Sequence, residues 1–264
     1  MKMEEARIYG RFLRMHVLSG LEYKGWWLMV LQVLLTCVLD PLGTVLMFLR
    51  FGSIGPWSVE RILLIYAMAV TSFGLAESFC RGFDYFPYVM IRDGNFDRLL
   101  LRPRSLFTQA AASVFHIHRL SRPAAGLAVM LWCLGRLGAA PTAANIAMLA
   151  MALAGGLVMY AGVFVMTSGI AFFTVKALDW IIVFTNASYQ VARIPKEYMP
   201  GFLKNMFTFF MPMLVVSYYP ASAVCGWGDS PWLGWLALPA GVAFFGASLL
   251  VWRVGVRHYR STGS

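Results

Sequence analysis

A chain of 264 residues that is 59% hydrophobic and 13% charged carries about half the charge of an ordinary soluble domain. Its apolar residues gather into runs of roughly 20, the length that spans a hydrocarbon core, which excludes a soluble enzyme and predicts one all-α integral membrane domain over 1–264. The net charge of +10 sits beside those runs as orientation signals rather than as a nucleic-acid surface, so no nucleic-acid partner is expected.

In residues 1–25, Ile8, Tyr9, Phe12, Leu13, Val17 and Leu21 repeat at helical spacing, with Glu4, Arg7, Arg11 and Arg14 largely opposite. That is the pattern of an amphipathic helix in the membrane interface or packed on neighbouring protein. Trp26 and Trp27 mark where the chain enters the membrane. A first span over 26–49 contains Asp40-Pro41. Asp40 reads either as a functional carboxylate in lipid or, preferably, as a cap where proline breaks the helix or a residue of the outer head-group region. A second span over 59–80 carries Glu77 near its far end, paired with an arginine such as Arg81.

The polar region 81–119 follows. Within it, Arg92–Arg104 reads RDGNFDRLLLRPR. Phe96, Leu99 and Leu100 fall at i, i+3 and i+4, so a short helix here has one apolar face. Asn95 or Asp93 can start it and Pro103 stops it. The stretch is either an ordinary charged loop with a helical turn or a docking element for another protein. A third span is expected over 120–138; His116 and His118, at i and i+2 of a helix, would point to different faces, which argues against a metal site.

Gly138–Pro141 form a turn. A fourth span over 143–170 holds Gly155, Gly156, Gly162 and Gly169, which let helices approach closely in lipid. A short turn at Lys176 leads to a fifth span over 178–194. Five prolines punctuate 195–231, so 195–230 reads as two short helices entering and leaving one face. The last span is 232–252, before a basic tail.

With both termini cytoplasmic, this six-span layout puts 16 of the 22 Lys and Arg inside, as the positive-inside rule asks. Arg193, Lys196 and Lys204 are the awkward ones outside. Cys37, Cys80, Cys133 and Cys225 have no metal spacing. No phosphate-cradling loop, HExxH or GxSxG occurs. A six-span chain with a docking loop and no energy source of its own points to energy from a partner. The alternative is an ion-coupled secondary transporter using Asp40 and Glu77.

The run Gly94–Pro103 (GNFDRLLLRP) resembles the cytoplasmic loop of ABC-2 type permeases, in a subfamily formerly classed as of unknown function. Leu21–Trp27 (LEYKGWW) and Phe207–Ala221 (FTFFMPMLVVSYYPA) resemble the same subfamily at matching order. The resemblance implies a type V exporter-like fold, with an interface helix, six spans, a cytoplasmic coupling helix and short re-entrant helices before the last span. It implies the non-catalytic membrane subunit of a bacterial inner-membrane exporter of amphipathic, lipid-like or drug-like molecules. ATP and Mg would be bound by a separate ABC ATPase dimer, with no cofactor in this chain. A second permease, identical or different, and membrane lipids complete the partners. By this match Gly94, Phe96, Asp97, Arg98, Leu99, Leu100, Arg102 and Pro103 couple to the ATPase, with Phe96, Leu99 and Leu100 inserted in its groove. Phe210, Met211, Tyr218, Tyr219 and Pro220 belong to an external gate or substrate path.

Overall fold

The computed structural model describes residues 2–22, 24–53, 55–174 and 189–259, and the described residues are helical or irregular, without strands. In chain order the helices are α1 (Lys2–Glu22), α2 (Trp26–Phe51), α3 (Val59–Phe86), α4 (Phe96–Leu100), α5 (Leu106–Ala112), α6 (Ser121–Arg136), α7 (Ala143–Ala171), α8 (Gly201–Asn205), α9 (Met213–Val216), α10 (Tyr218–Cys225) and α11 (Ala237–His258). Among the described residues, four segments are long and apolar enough to cross a membrane: Trp26–Phe51, Val59–Arg92, Ala143–Ala171 and Pro231–His258. A fifth candidate is the pair Gly201–Phe210 and Met213–Cys225, bent by 68°. The expected fifth span over 178–194 and the turn at Lys176 fall largely outside the described residues.

Helix α3 is the axis. Some 83% of its most apolar window is buried, because α5, α6 and α7 all pack on it. It is longer than the expected 59–80: it runs to Phe86 and continues as a π turn over Pro87–Arg92. Small residues set the spacing to its neighbours. A Cβ on Gly126 of α6 would lie 2.5 Å from Thr71 Oγ1, one on Gly74 2.7 Å from Pro123, and one on Gly156 2.4 Å from Ser72 Oγ. Residues 74 and 71 of α3 thus meet 123 and 126, so α6 is antiparallel to α3. Ser72, Phe83 and Phe86 meet Gly156, Ser168 and Phe172, so α7 is parallel to it.

The expected close approach at the α7 glycines is made against α11. Gly155 meets Ala237 and Gly241, Gly162 meets Ser248, and Gly169 meets Trp252 and Gly255. Each helix offers its small residues at a seven-residue interval, the period that keeps two helices in register along a slow left-handed coil. A Cβ on Gly241 would come within 2.2 Å of the Gly155 carbonyl oxygen, and one on Gly255 within 2.4 Å of that of Gly169. Numbers rise together again, so α3, α7 and α11 all run one way.

Two expectations change. Helix α2 does not break at Asp40-Pro41; it is continuous from Trp26 to Phe51 with Pro41 inside it. Proline removes one N–H, but it is the lipid-facing helix itself that satisfies the remaining backbone groups. Asp40 instead accepts a hydrogen bond from Tyr66 Oη at 3.5 Å, and its carbonyl accepts from Arg193. Helix α6 has 16 residues, about 24 Å at 1.5 Å each, short of a roughly 30 Å core. The 3₁₀ turn Ile117–Leu120 before it adds about 8 Å at its 2.0 Å rise. His116 precedes that turn in extended conformation. Its ring therefore stacks on His118, centroids 5.3 Å apart, rather than pointing to another face.

Candidate functional site

At one end of α3, helix α4 is held by aromatic packing. Asn95 is its N-cap residue, and its side-chain amide donates back to the Val89 carbonyl at 2.9 Å, closing the turn at Gly94. Gly94 has φ +71°, a conformation glycine takes without a steric penalty. Phe96 is fully enclosed. Its ring meets Phe86 of α3 at 5.6 Å, Phe172 at the end of α7 at 5.1 Å and Tyr259 just past α11 at 4.6 Å. Trp252 of α11 closes the cluster against Phe86 and Phe172. Tyr259 Oη also donates to Asp97 Oδ1 at 3.2 Å. Burial, together with that bond and the Asp97 charge, pushes the Tyr259 phenol up from its usual range.

The apolar face read from Phe96, Leu99 and Leu100 is therefore divided. Phe96 and Leu99 are buried in their own chain, while Leu100 and, more fully, Leu101 are exposed, at 48% and 85%. The enclosure of Phe96 has a simple cause: five residues make little more than one turn, and the enclosing rings come from three other helices. Arg98, Arg102, Pro103 and Arg104 are exposed beside Leu100 and Leu101. The result is a short apolar edge ringed by guanidiniums, mounted on a buried phenylalanine. Sequence reading missed Phe86, Phe172, Trp252 and Tyr259. The lone aromatic in the polar tail was the available signal.

Nearby, Glu77 is 2% exposed and is paired with Arg81, Arg119 and Arg122. Arg81 also reaches Asp84 at 3.4 Å. The expected pairing with Arg81 is present, within a larger charged knot that ties α3 to the turn and helix that follow α5. Arg122 further lies over the Phe73 ring at 5.5 Å.

At the opposite end, Trp57, Tyr218 and Trp227 form a cage with centroids 5.5–6.2 Å apart. Lys196 Nζ sits over the Tyr218 ring at 4.4 Å and pairs with Asp229. Asp229 also accepts from Ser222 Oγ at 2.8 Å. Burial alone would raise the Asp229 carboxyl, but hydrogen bonds from Lys196, Ser222 and Tyr218 and the Lys196 charge hold it below the usual carboxylate range. The pair Lys196–Asp229 ties the two ends of 196–229 together, so this segment leaves and returns at one end of the bundle. Val216 marks its depth, beside Gly156. Among the expected gate residues, Met211, Tyr218 and Pro220 are buried, Tyr219 is half-buried, and Phe210 is 67% exposed. Phe210 and Phe209 border an open groove of about 400 Å³ against α7 and α11. A second, apolar cavity of about 370 Å³ separates α2 from α3 and α6, lined by Leu34, Pro41, Val45, Tyr66, Gly126 and Trp132.

Comparison with known families bears directly on this arrangement. Residues 34–263 match the family described as ABC-2 family transporter protein. The chain belongs to that family. The match runs from the middle of α2 past Tyr259 and so takes in both ends described above. Membership makes the chain a multi-pass membrane component of an ABC transporter, a role that is generally non-catalytic and implies work with an ABC ATPase subunit. No curated protein and no solved structure matches it.

Proposed function

We propose that this chain is the membrane subunit of a bacterial inner-membrane ABC exporter that moves an amphipathic, lipid-like or drug-like molecule outward. ATP hydrolysis takes place in a separate ATPase dimer that docks on Arg92–Arg104, and a second permease chain, identical or different, completes the pathway. The observation that carries the reading is the mounting of α4. Leu100, Leu101 and the surrounding arginines form the face offered to the ATPase; guanidiniums suit bidentate pairing with its carboxylates. Phe96, one turn away, is gripped at once by α3, α7 and the end of α11. A partner that displaces α4 thus displaces three helices that run in parallel. Coupling then needs only that the ATPase hold the two permease states with different affinity.

The far end supplies the gate. The re-entrant segment 196–229 is latched by Lys196–Asp229 over the Trp57, Tyr218 and Trp227 cage, and Phe209 and Phe210 give an apolar, adaptable wall to the groove below. An ion-coupled carrier has less support, since Glu77 is committed to three fixed arginines.

The test is purification of the full chain from its host with its co-purifying ATPase. Leu100→Asp with Leu101→Asp is expected to lose the ATPase and transport while keeping the melting temperature of the permease. Phe96→Ala is expected to lower that melting temperature, by a packing loss of about 3–5 kcal/mol. A double variant that keeps both ATPase and transport at wild-type levels would show that this edge does not couple them.

A further inference from the structure

A cavity of about 560 Å³ lies between α1, the first turns of α2 and the connection from α5 to α6. It lies apart from the far-end gate, and it shares His16 and Ser113 with a neighbouring groove that reaches Leu99 and Arg102. His16, Gln32, His116, His118 and Arg119 line it, and Trp26 forms part of its wall. Trp26 opens a membrane-length helix, the depth at which tryptophan marks the head-group layer. One polar group there is short of a partner. Arg119 spends one nitrogen on Glu77, and its Nε is buried without a hydrogen bond. Charge is lopsided as well. His116 faces Arg119, Arg81 and His16, and only Glu77 opposes them; His118 faces His116, Arg119 and Arg81 against Glu77. The α2 wall (Trp26, Met29, Gln32) is neutral, and Arg122 on α6 turns to Glu77 and Phe73. Partial burial first, then these cations, hold both imidazoles below the usual histidine range, although the His116 side chain still reaches solvent.

We infer that this cavity binds a phosphate group, presented as the head group of an anionic phospholipid, with the guanidinium of Arg119 and the imidazoles of His16, His116 and His118 as its donors. An anion opposes the cationic repulsion that, after burial, holds His116 and His118 below the usual histidine range, so their protonation and binding favour each other and affinity rises as pH falls. Phosphatidylglycerol satisfies both charge and depth. Its acyl chains would leave along the exposed apolar side of α2 formed by Leu28, Leu31 and Leu35.

The experiment uses the full chain in detergent, stripped of lipid, with native mass spectrometry reading the binding of phosphatidylglycerol, phosphatidylcholine or inorganic phosphate at pH 5.5 and pH 8. Phosphatidylglycerol should bind more tightly at pH 5.5. The His116→Gln/His118→Gln variant should weaken that binding about fivefold, the effect of about one cation at a membrane surface, with little change at pH 8. His116 is exposed, so His116→Gln alone, with its melting temperature, guards against misfolding. Phosphatidylglycerol binding that phosphatidylcholine and inorganic phosphate do not share supports the lipid source. Variant-sensitive binding of inorganic phosphate alone would place the source in solution and overturn the lipid assignment. Binding of every probe unchanged by the variants at both pH values would overturn the site.

Discussion

At the scale of single residues, the decisive facts are which charges are buried and what holds them. Glu77 is paired with three guanidiniums from inside the protein. Removing one partner of a buried ion pair leaves uncompensated charge, which costs about 3 kcal/mol or more. Glu77→Gln is therefore expected to lower the thermal melting point of the detergent-solubilised chain markedly, and a melting point within a degree of wild type would remove Glu77 from the fold's supports. Asp229 makes a prediction of opposite location. Its carboxyl is held below the usual range by Lys196, Ser222 and Tyr218. The stability it lends is therefore present above the ordinary carboxylate range and lost as pH falls through its depressed value. Labelling of the half-buried, free Cys225 by a thiol reagent, followed by mass after pre-incubation, should rise only below about pH 4, near the reference carboxylate value. Asp229→Asn should show the raised labelling at neutral pH. Equal labelling of wild type and variant would mean that the Lys196–Asp229 pair does not hold the 196–229 segment closed.

At the scale of elements, the α7–α11 seam is the most exacting contact. Gly241 faces the Gly155 carbonyl at a distance no Cβ can share, whereas Gly246, a turn and a half further along the same helix, has open space around it. Gly241→Val is expected to wedge the helices apart, at a cost of about 1–3 kcal/mol or more, and to reduce the yield of folded chain on size-exclusion chromatography. Gly246→Ala should leave the yield unchanged or improve it. Equal behaviour of the two would mean that the seam is not tightly packed. This seam was partly legible in the sequence: glycines in an apolar run announce close approach, and their seven-residue interval is visible. The partner helix was not, because glycine and serine spacing in one span does not say which other span it meets. The same limit explains Phe96. Spacing shows an apolar face on Arg92–Arg104 but not its direction, which depends on Phe172 and Tyr259, distant in the chain. Asp40-Pro41 misled for another reason: proline weakens a helix locally, but a bilayer penalises any break more heavily.

At the scale of the whole molecule, direction and charge can be set against each other. Helix α6 opposes α3, while α7 and α11 follow it, and α2 opposes it, since Asp40 lies by Tyr66 while the start of α2, at Trp26, Met29 and Gln32, shares a cavity with Arg119, which reaches Glu77 further along α3. Phe173 meets His258 at the Phe96 end. The chain is next described at Tyr189, whose ring lies on Phe73 part-way up α3, then at Arg193 over Tyr66 and Lys196 over Tyr218. The described ends on either side thus lie at different depths and climb toward the far end, which returns α11 to the start it needs. Two of the three cations that sat awkwardly on the sparsely charged side are engaged within the chain, Arg193 by Tyr66 and Asp40 and Lys196 by Asp229, so they weigh less in orienting it. The remaining excess of Lys and Arg at the Phe96 end makes a cytoplasmic placement of that end the prediction of the positive-inside rule. In a chain whose four native cysteines are replaced, single cysteines at Ser53 and Ala140 should react with a membrane-impermeant thiol reagent added to intact cells. A cysteine at Leu101 should react only after the membrane is opened. Reaction of Leu101→Cys and Ala140→Cys from the same side would break the antiparallel pairing of α3 and α6. Reversal of all three would keep the fold but turn it over in the membrane, and would place the Leu100–Leu101 edge beyond reach of any cytoplasmic ATPase.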